Sequence, residues 1–584
     1  MIRCITLKSS SPCSLHATQG MMLVGLASMQ AILYAWIAAI SPQFDFDIPV
    51  EHRPIPLVLG LFGVCFLLHL ISLKVALWLP NTHLIVTGVL VIAAAFRVTL
   101  VYSHPIQEVD IYRYLWDGAT STAGVNPFRY SPQQVLASDR RAELPNDLQQ
   151  LVSMRDKDPA QLTVLERVHF GELTTVYPPV SQAVFALTAT LTPASATVLQ
   201  RITVMKGVLL TFDFATIVLM LLLLRLTGRH LGWSIVYAWS PLVLKEFANS
   251  GHLDSIAVCL TTASLCCWLQ GMRSTRQSGI VGWTVLASTL LGIGIGAKLY
   301  PIVLMPIVVW VTQRRMSWRE AVFVALPGIV LAATLLAPML LTKPATLEGS
   351  DSPTLFGAVA HARKVSSAPS DVRIDSAEQR GQASGLITFL THWEINDLLF
   401  MVLLENVQPK STGHSEDISI PWFVVVPDQI RSVVFSKLFL RIWPDSSVAA
   451  FVVIRVVTLV IFLLIAMSCA KSSQLAADPV RWLEGCFLTL AWFWALSPTM
   501  NPWYWIWALP LLPFSRSRAW LAVSGLLFLY YFRFWLAAHY AGTPVFGTGY
   551  RGEQFFHFIV VPIEHGVWLV WLAIDAWNLQ RNTH

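Results

Sequence analysis

Within the eleven residues of EVDIYRYLWDG, Glu108 to Gly118, stand three carboxylates, an arginine and three large aromatics. Carboxylates just past an apolar span are costly there, and are usually functional or paired. If Asp110 to Asp117 is helical, Arg113 reaches Asp117 at i,i+4, which leaves Asp110 freer than Asp117. The plainer alternative is an interfacial helix with structural ion pairs, its aromatics Tyr112, Tyr114 and Trp116 at headgroup level. Glu108 and Asp110 also leave a divalent metal open as a cofactor, although two carboxylates alone do not establish one.

Further along the chain, other short stretches carry polar or aromatic groups. Tyr177 precedes Pro178 and Pro179, which by themselves mark a helix start. GHLDS places His252 and Asp254 at the head of an apolar run, where a helix cap explains them equally well. Lys298 ends another apolar run; it either snorkels or holds an anionic headgroup. HWEINDLLF sets His392 and Asn396 one turn apart, as on a surface helix or in a polar pocket. Asn501, Trp503 and Tyr504 lie in NPWYW, which by itself can be an aromatic belt, and Arg533 lies near the end of a late apolar run.

These groups have to be positioned by membrane helices. The chain has 584 residues, of which 55% are hydrophobic and only 13% charged, against about 25% charged in soluble domains. Its apolar residues come in runs of about 17–25, the length that spans a bilayer core. Met21–Ile40, His83–Tyr102, Phe451–Ala470 and Phe555–Trp577 are examples. About 14 such runs can be drawn, including the shorter Leu231–Phe247, Tyr300–Val311, Trp482–Leu496 and Trp503–Phe514. Met21–Ile40 has no small-residue cleavage site after it and reads as an uncleaved first helix. The cysteines lie in apolar runs and the N-terminal tail, so neither a structural disulfide nor a zinc site is expected. The net charge of +6 reflects basic cytoplasmic loops rather than nucleic-acid binding.

Basic residues orient the chain. The short connections carrying Arg225 and Arg229, Arg273 and Arg276, Arg314, Arg315 and Arg319, Lys471, and Arg516 and Arg518 alternate with the others. If they face the cytoplasm, both termini lie inside and the stretches named above face outward. Pro178–Leu191 is too short for a comfortable span, and crossing there would break the alternation. It is therefore expected to be re-entrant or to lie along the outer interface.

Taken together and in this order, DIYRYLWDGATSTAGVNPF, VYPPVSQAVFAL, GHLDSIAV, KLYPIVLMPI, HWEINDLLF and NPWYWIWALPLL resemble the GT-C membrane glycosyltransferases. The nearest branch is that of bacterial mannosyltransferases using polyprenyl-phosphate-linked sugars. The resemblance runs from about Asp110 to the final span. It implies an all-α polytopic bundle of about 12–14 spans with a large first catalytic outer loop, and Asp110 as the catalytic base with Glu108 beside it. Lys298, Arg113 or Arg533 would hold the donor phosphate. Tyr177, His252, Asp254, His392, Asn396, Asn501, Trp503 and Tyr504 would face the substrates. The segments 342–384 and 408–445 are long for the family.

The chain then divides into a cytoplasmic tail (1–20), N-terminal transmembrane helices (21–102), the outer catalytic loop (103–177), a central bundle (178–341), an outer polar segment (342–447) and a C-terminal bundle (448–584). The expected activity moves a hexose, mannose by the resemblance, with inversion, from a polyprenyl-phosphate donor to a glycan or glycolipid acceptor at the outer face of the cell membrane. No nucleotide is expected, in keeping with the lack of a glycine-rich loop between strand and helix. The rival class, a lipid or sugar transporter or flippase, predicts matching halves and ionisable groups near mid-membrane, whereas here the polar stretches gather on one face. A noncatalytic membrane scaffold is the remaining class.

Overall fold

The computed structural model describes residues 12–345, 389, 393–408, 420–441 and 446–581. Among these residues the architecture is all helical. The one extended pairing is an isolated parallel bridge between Ile395 and Thr499. Ten helices are long and apolar enough to cross a membrane: His16–Phe44, Ile55–Trp78, His83–Val101, Val198–Thr227, Asp254–Arg273, Gln277–Ala297, Trp318–Leu341, Ser446–Leu475, Ala519–His539 and Gly552–Asn578.

The four shorter runs are helical but fall below that length or are broken. Leu231–Phe247 splits into pieces around Ser240 and Pro241, ending in a π-helical turn at Leu244–Asn249. Proline cannot donate to a helix ladder, and exposed backbone is not tolerated in lipid. This stretch is buried throughout, and its polar groups find partners inside the bundle. The Ala238 carbonyl accepts from Arg97 at 2.8 Å, and the Trp239 indole donates to the Val89 carbonyl at 3.1 Å. Pro502–Trp505 and Leu509–Phe514 are likewise proline-interrupted and buried. Tyr300–Thr312 and Pro479–Ala495 are short helical stretches.

A buried ion pair fixes this interior. Arg97 meets Asp213 at 2.5 Å and 3.2 Å, and the Tyr237 hydroxyl donates to the same carboxylate at 2.8 Å. The pair ties His83–Val101 to Val198–Thr227 and to the broken stretch between Leu231 and Asn249.

The basic connections contact one another at one end of the bundle. Arg273 donates to the Leu226 carbonyl, Arg315 to the Ser274 carbonyl at 2.6 Å, and Arg314 to the Gln474 carbonyl. Arg516 pairs with Glu484 at 3.0 Å, and Arg518 lies over the Trp233 ring. The same helices carry the sequence-predicted site residues at their other ends: Asp254 opposite Arg273, Lys298 opposite Arg276, and Arg533 opposite Arg518.

The short helix Pro179–Leu191 packs on the helix Asp110–Thr122. Phe185 stacks on Tyr114 with centroids 4.7 Å apart. The backbones approach so closely that a Cβ at Gly118 would collide with the Phe185 carbonyl. Ser181 donates to the Ala297 carbonyl at 2.8 Å, which joins this helix to the segment bearing Lys298.

Candidate active site

Asp110 is the first residue of the helix Asp110–Thr122. The approach to it is held from below: Asn249 accepts from the Ile106 amide at 2.9 Å and donates to Ser103 Oγ and the His104 carbonyl, while Lys206 donates to the Ser103 carbonyl at 2.6 Å. Glu108 folds back so that its Oε1 accepts from the Val109 and Asp110 amides at 2.9 Å and 3.1 Å. A helix N-terminus favours a negative charge at this position.

Behind Glu108 lies a buried charged network. His252 Nε2 is 3.4 Å from Glu108 and 3.2 Å from Glu246. Glu246 also pairs with Lys245 at 3.2 Å and accepts from the Tyr531 hydroxyl. The His252 ring stacks on Trp503, centroids 4.1 Å apart.

These contacts push two neighbouring carboxyls in opposite directions. Burial raises the Asp110 pKa, the Glu108 charge raises it further, and His252, His169 and the Tyr177 hydroxyl oppose; the result is about 6. Burial would raise Glu108 too, but His252 and Lys245 outweigh it and bring it down to about 2. Burial would lower His252, but Glu108 and Glu246 hold it up at about 9. The two neighbouring acids thus sit in environments that favour opposite protonation states.

A cavity of about 320 Å³ opens in front of Asp110, lined by Glu108, Asp110, Tyr177, Lys298, Asn501, Trp503 and Tyr504 among others. Lys298 lies over the Tyr504 and Tyr177 rings, 4.8 Å and 5.8 Å from their centroids. Its ammonium is 3.4 Å from Asp254, whose other oxygen accepts from the Trp507 indole at 2.7 Å. Burial would lower the Lys298 pKa, but Asp254, Tyr504 and Asp110 raise it, so the ammonium is held charged. Asn501 is buried in the lining, with its Oδ1 lacking a hydrogen-bond partner among the described residues.

Several sequence-predicted residues stand outside the lining. His252 and Asp254 lie behind it, bearing on Glu108 and Lys298. Arg113 turns away, donating to the His169, Phe170 and Leu173 carbonyls at 3.5, 2.8 and 3.1 Å. The i,i+4 pair with Asp117 does not form as an ion pair within 4.0 Å; Asp117 accepts from Gln182 at 3.0 Å instead. Three backbone carbonyls converging from the partly buried stretch 169–173 offer Arg113 more than one carboxylate along its own helix. Arg533 is buried beside the lining residue Phe534. Asn396 adopts a left-handed backbone, φ 54°, and donates to Glu564 at 2.8 Å, while its carbonyl accepts from His565 at 2.8 Å. With the Ile395–Thr499 bridge, it pins the wall carrying Trp393 onto the final span. His392 lies outside the described residues.

The sequence reading missed other lining groups: Asp45, Arg53, His104, Gln107, His169 and Arg455. Arg455 had a signal, a cation inside the very apolar Phe451–Ala470 run, which is rare without a role. Lys245 and Glu246 had the same signal within an expected span. Asp45 and Arg53 precede the stretch that carries the resemblance, and nothing local marks them. No three His, Cys, Asp or Glu side chains among the described residues are grouped to hold a metal ion, and Glu108 is committed to His252 and two amides.

A sequence family described as alpha-(1->6)-mannopyranosyltransferase, N-terminal domain, matches residues 17–314. The chain belongs to this mannosyltransferase family. The matched stretch contains Glu108, Asp110, Tyr177, His252, Asp254 and Lys298, while Asn501, Trp503, Tyr504 and Arg455 follow it. No curated protein and no solved structure matches the chain significantly.

Proposed function

We propose that the chain transfers mannose from a polyprenyl-phosphate-linked donor to the 6-hydroxyl of a glycan or glycolipid acceptor, forming an alpha-(1->6) linkage. The observation that carries this is the single cavity lining that Asp110, Tyr177 and Lys298 share. The Lys298 ammonium lies over the Tyr177 ring. A proton acceptor and a held cation thus share one aromatic-lined cavity, as a lipid-phosphate sugar requires.

In this reaction Asp110 takes the proton of the acceptor hydroxyl. That oxygen forms a bond to the anomeric carbon as the bond to the phosphate oxygen breaks. The electron pair leaves with polyprenyl phosphate, whose charge Lys298 meets. Displacement inverts the carbon, so an α product comes from a β-linked donor. Glu108 keeps the neighbouring charge that raises Asp110 into working range. Trp503, backed by His252, and Tyr504 form the platform for the donor sugar.

The cavity is assigned to the outer face. Short basic connections favour the cytoplasm, and here they gather at the opposite end of the helices. The molecule is then a multi-pass cell-membrane enzyme with outer loops at 103–177 and 342–447 and Pro179–Leu191 held within the outer half.

Purified protein in lipid nanodiscs, given polyprenyl-phosphate [¹⁴C]mannose and an α-mannoside, should yield an alpha-(1->6)-linked product. Transfer from a nucleotide sugar but not from the lipid donor would overturn the donor assignment. Cysteines placed beside Asp110 and Lys298 should react with an impermeant thiol reagent in intact cells; labelling only after permeabilisation would reverse the sidedness.

A further inference from the structure

The cavity has two chemically different ends. At one, Lys298 presents a cation over Tyr177 and Tyr504. At the other, the connection between the first two spans supplies Asp45, Phe46 and Arg53, which face His104 and Gln107. At this second end the charges are already matched. Asp45 pairs with His104 at 3.1 Å, and Arg167 lies 2.7 Å from Asp47 and 3.7 Å from Asp45. Arg53 is spent on the loop itself, donating to the Ile48 carbonyl at 2.9 Å, to Gln107 Oε1 at 2.7 Å, and to the Asp45 and Phe46 carbonyls.

Such an end offers a phosphate no uncommitted cation, because Arg53 and Arg167 are already engaged. It suits a neutral ligand rich in hydroxyls, which needs hydrogen bonds without a net field. The pair remains reachable: the side chains of Asp45 and His104 are 31% and 23% exposed. Gln107 is buried with its Nε2 unpartnered among the described residues. Its backbone sits at φ 50°, a left-handed conformation unusual away from glycine and recurrent at binding sites. It borders the main cavity and also a smaller, water-sized void beside Lys245 and Tyr531.

We infer that Asp45, Phe46, His104 and Gln107 form the subsite for the acceptor's sugar ring, a neutral terminal glycoside such as an α-mannoside. The inference rests on the mannosyl-transfer reading above. Displacement at the anomeric carbon needs the incoming oxygen and the leaving phosphate on opposite sides of that carbon. With the phosphate on Lys298, the acceptor takes a part of the lining that does not carry Lys298, which Asp45, His104 and Gln107 supply. A 6-hydroxymethyl arm then reaches Asp110, while the ring behind it meets Asp45 as an acceptor of hydroxyl protons and Gln107 Nε2 as a donor. Phe46 supplies an apolar wall for the C–H face.

The test uses the full chain in nanodiscs and the near-isosteric variants Asp45→Asn and Gln107→Glu. Asp47→Asn serves as control, since Asp47 shares the Arg167 contact but does not line the cavity. Binding of methyl α-mannoside and of an alpha-(1->6)-mannobioside is read by saturation-transfer NMR without donor, and the acceptor and donor KM are read separately. Both subsite variants should weaken acceptor binding and raise acceptor KM, Asp45→Asn by about tenfold or more, the scale of losing one hydrogen bond to a charged group, and Gln107→Glu by about three- to tenfold, the scale of a neutral one. Donor KM should stay unchanged in both, and Asp47→Asn should behave as wild type. Unchanged acceptor binding in either subsite variant, or a shift in donor KM instead, overturns the subsite. So does a wild-type protein that transfers mannose but shows no α-mannoside binding. Because the NMR measurement needs no turnover, a wrong donor assignment leaves it readable.

Discussion

The imidazole of His252 lies flat on the indole of Trp503, centroids 4.1 Å apart and planes 15° from parallel, while its Nε2 stands 3.4 Å from Glu108. One side chain therefore couples the cavity wall to the anion beside Asp110. A pH profile follows from this. Asp110 must be ionised to accept a proton, so kcat/KM should rise with pH through about 6. His252, held charged up to about 9, compensates Glu108; once it is neutral that charge stands unbalanced beside the base, so activity should fall. In Glu108→Gln the anion that raises Asp110 and sustains His252 is gone. Both limbs should then move to lower pH. A rising limb that stays in place would mean that the proton acceptor is not Asp110.

Asp110→Asn preserves volume and removes the proton acceptor. General-base catalysis contributes about 10²–10⁴-fold, and turnover per inserted molecule should fall by that amount. Asp117→Asn lies on the same helix but keeps a group able to bond Gln182. Its turnover should stay near wild type, with any loss in thermal stability. Near-normal turnover for Asp110→Asn would move the base to Glu108.

How much of this was legible beforehand differs from group to group. The long apolar spans and the basic alternation could be read, because lipid imposes length and charge rules on local sequence. Asp110, Tyr177 and Lys298 could be named from their stretches, and the cavity brings them together. The broken helices at Leu231–Asn249 and Pro502–Phe514 could not be told from spans by hydropathy. Their proline interruptions are tolerated only because neighbouring helices satisfy the backbone, and that is a tertiary fact. Arg113 illustrates the same limit. Helical spacing pointed to Asp117, but the winning partners are carbonyls some 55–60 residues away along the chain, at His169, Phe170 and Leu173. The subsite residues Asp45 and His104 are ordinary loop residues until the fold sets them face to face.

Lys298 and Arg113 separate cleanly by experiment. Lys298→Gln retains a donor for Asp254 and removes the charge over Tyr177. Donor KM should rise roughly ten- to a hundredfold, the value of a charge-assisted contact of about 1.5–3 kcal/mol, with acceptor KM unchanged. Arg113→Lys cannot span the three carbonyls it now serves. It should lower the unfolding temperature and leave donor KM alone. A donor defect in Arg113→Lys at equal folded yield would return Arg113 to the phosphate.

The Arg97–Asp213 pair should dominate the stability of the bundle without touching chemistry. Both charges are buried, the geometry is bidentate, and Tyr237 and the Ala238 carbonyl complete the set. Removing one partner leaves an uncompensated charge in a low-dielectric interior, at a cost of about 3–5 kcal/mol. Asp213→Ala should therefore unfold at markedly lower temperature in detergent, while the surviving folded fraction keeps wild-type donor and acceptor KM. The double variant Arg97→Met, Asp213→Leu, with no charge left to bury, should recover most of the lost stability, since well-packed apolar replacements of buried pairs are often neutral or better. Fluorescence-detected thermal unfolding of the two variants checks both halves. If the double variant is no more stable than Asp213→Ala, the pair's worth lies in the register it imposes on Leu231–Asn249 through Tyr237 and Ala238, rather than in the cost of a stranded charge.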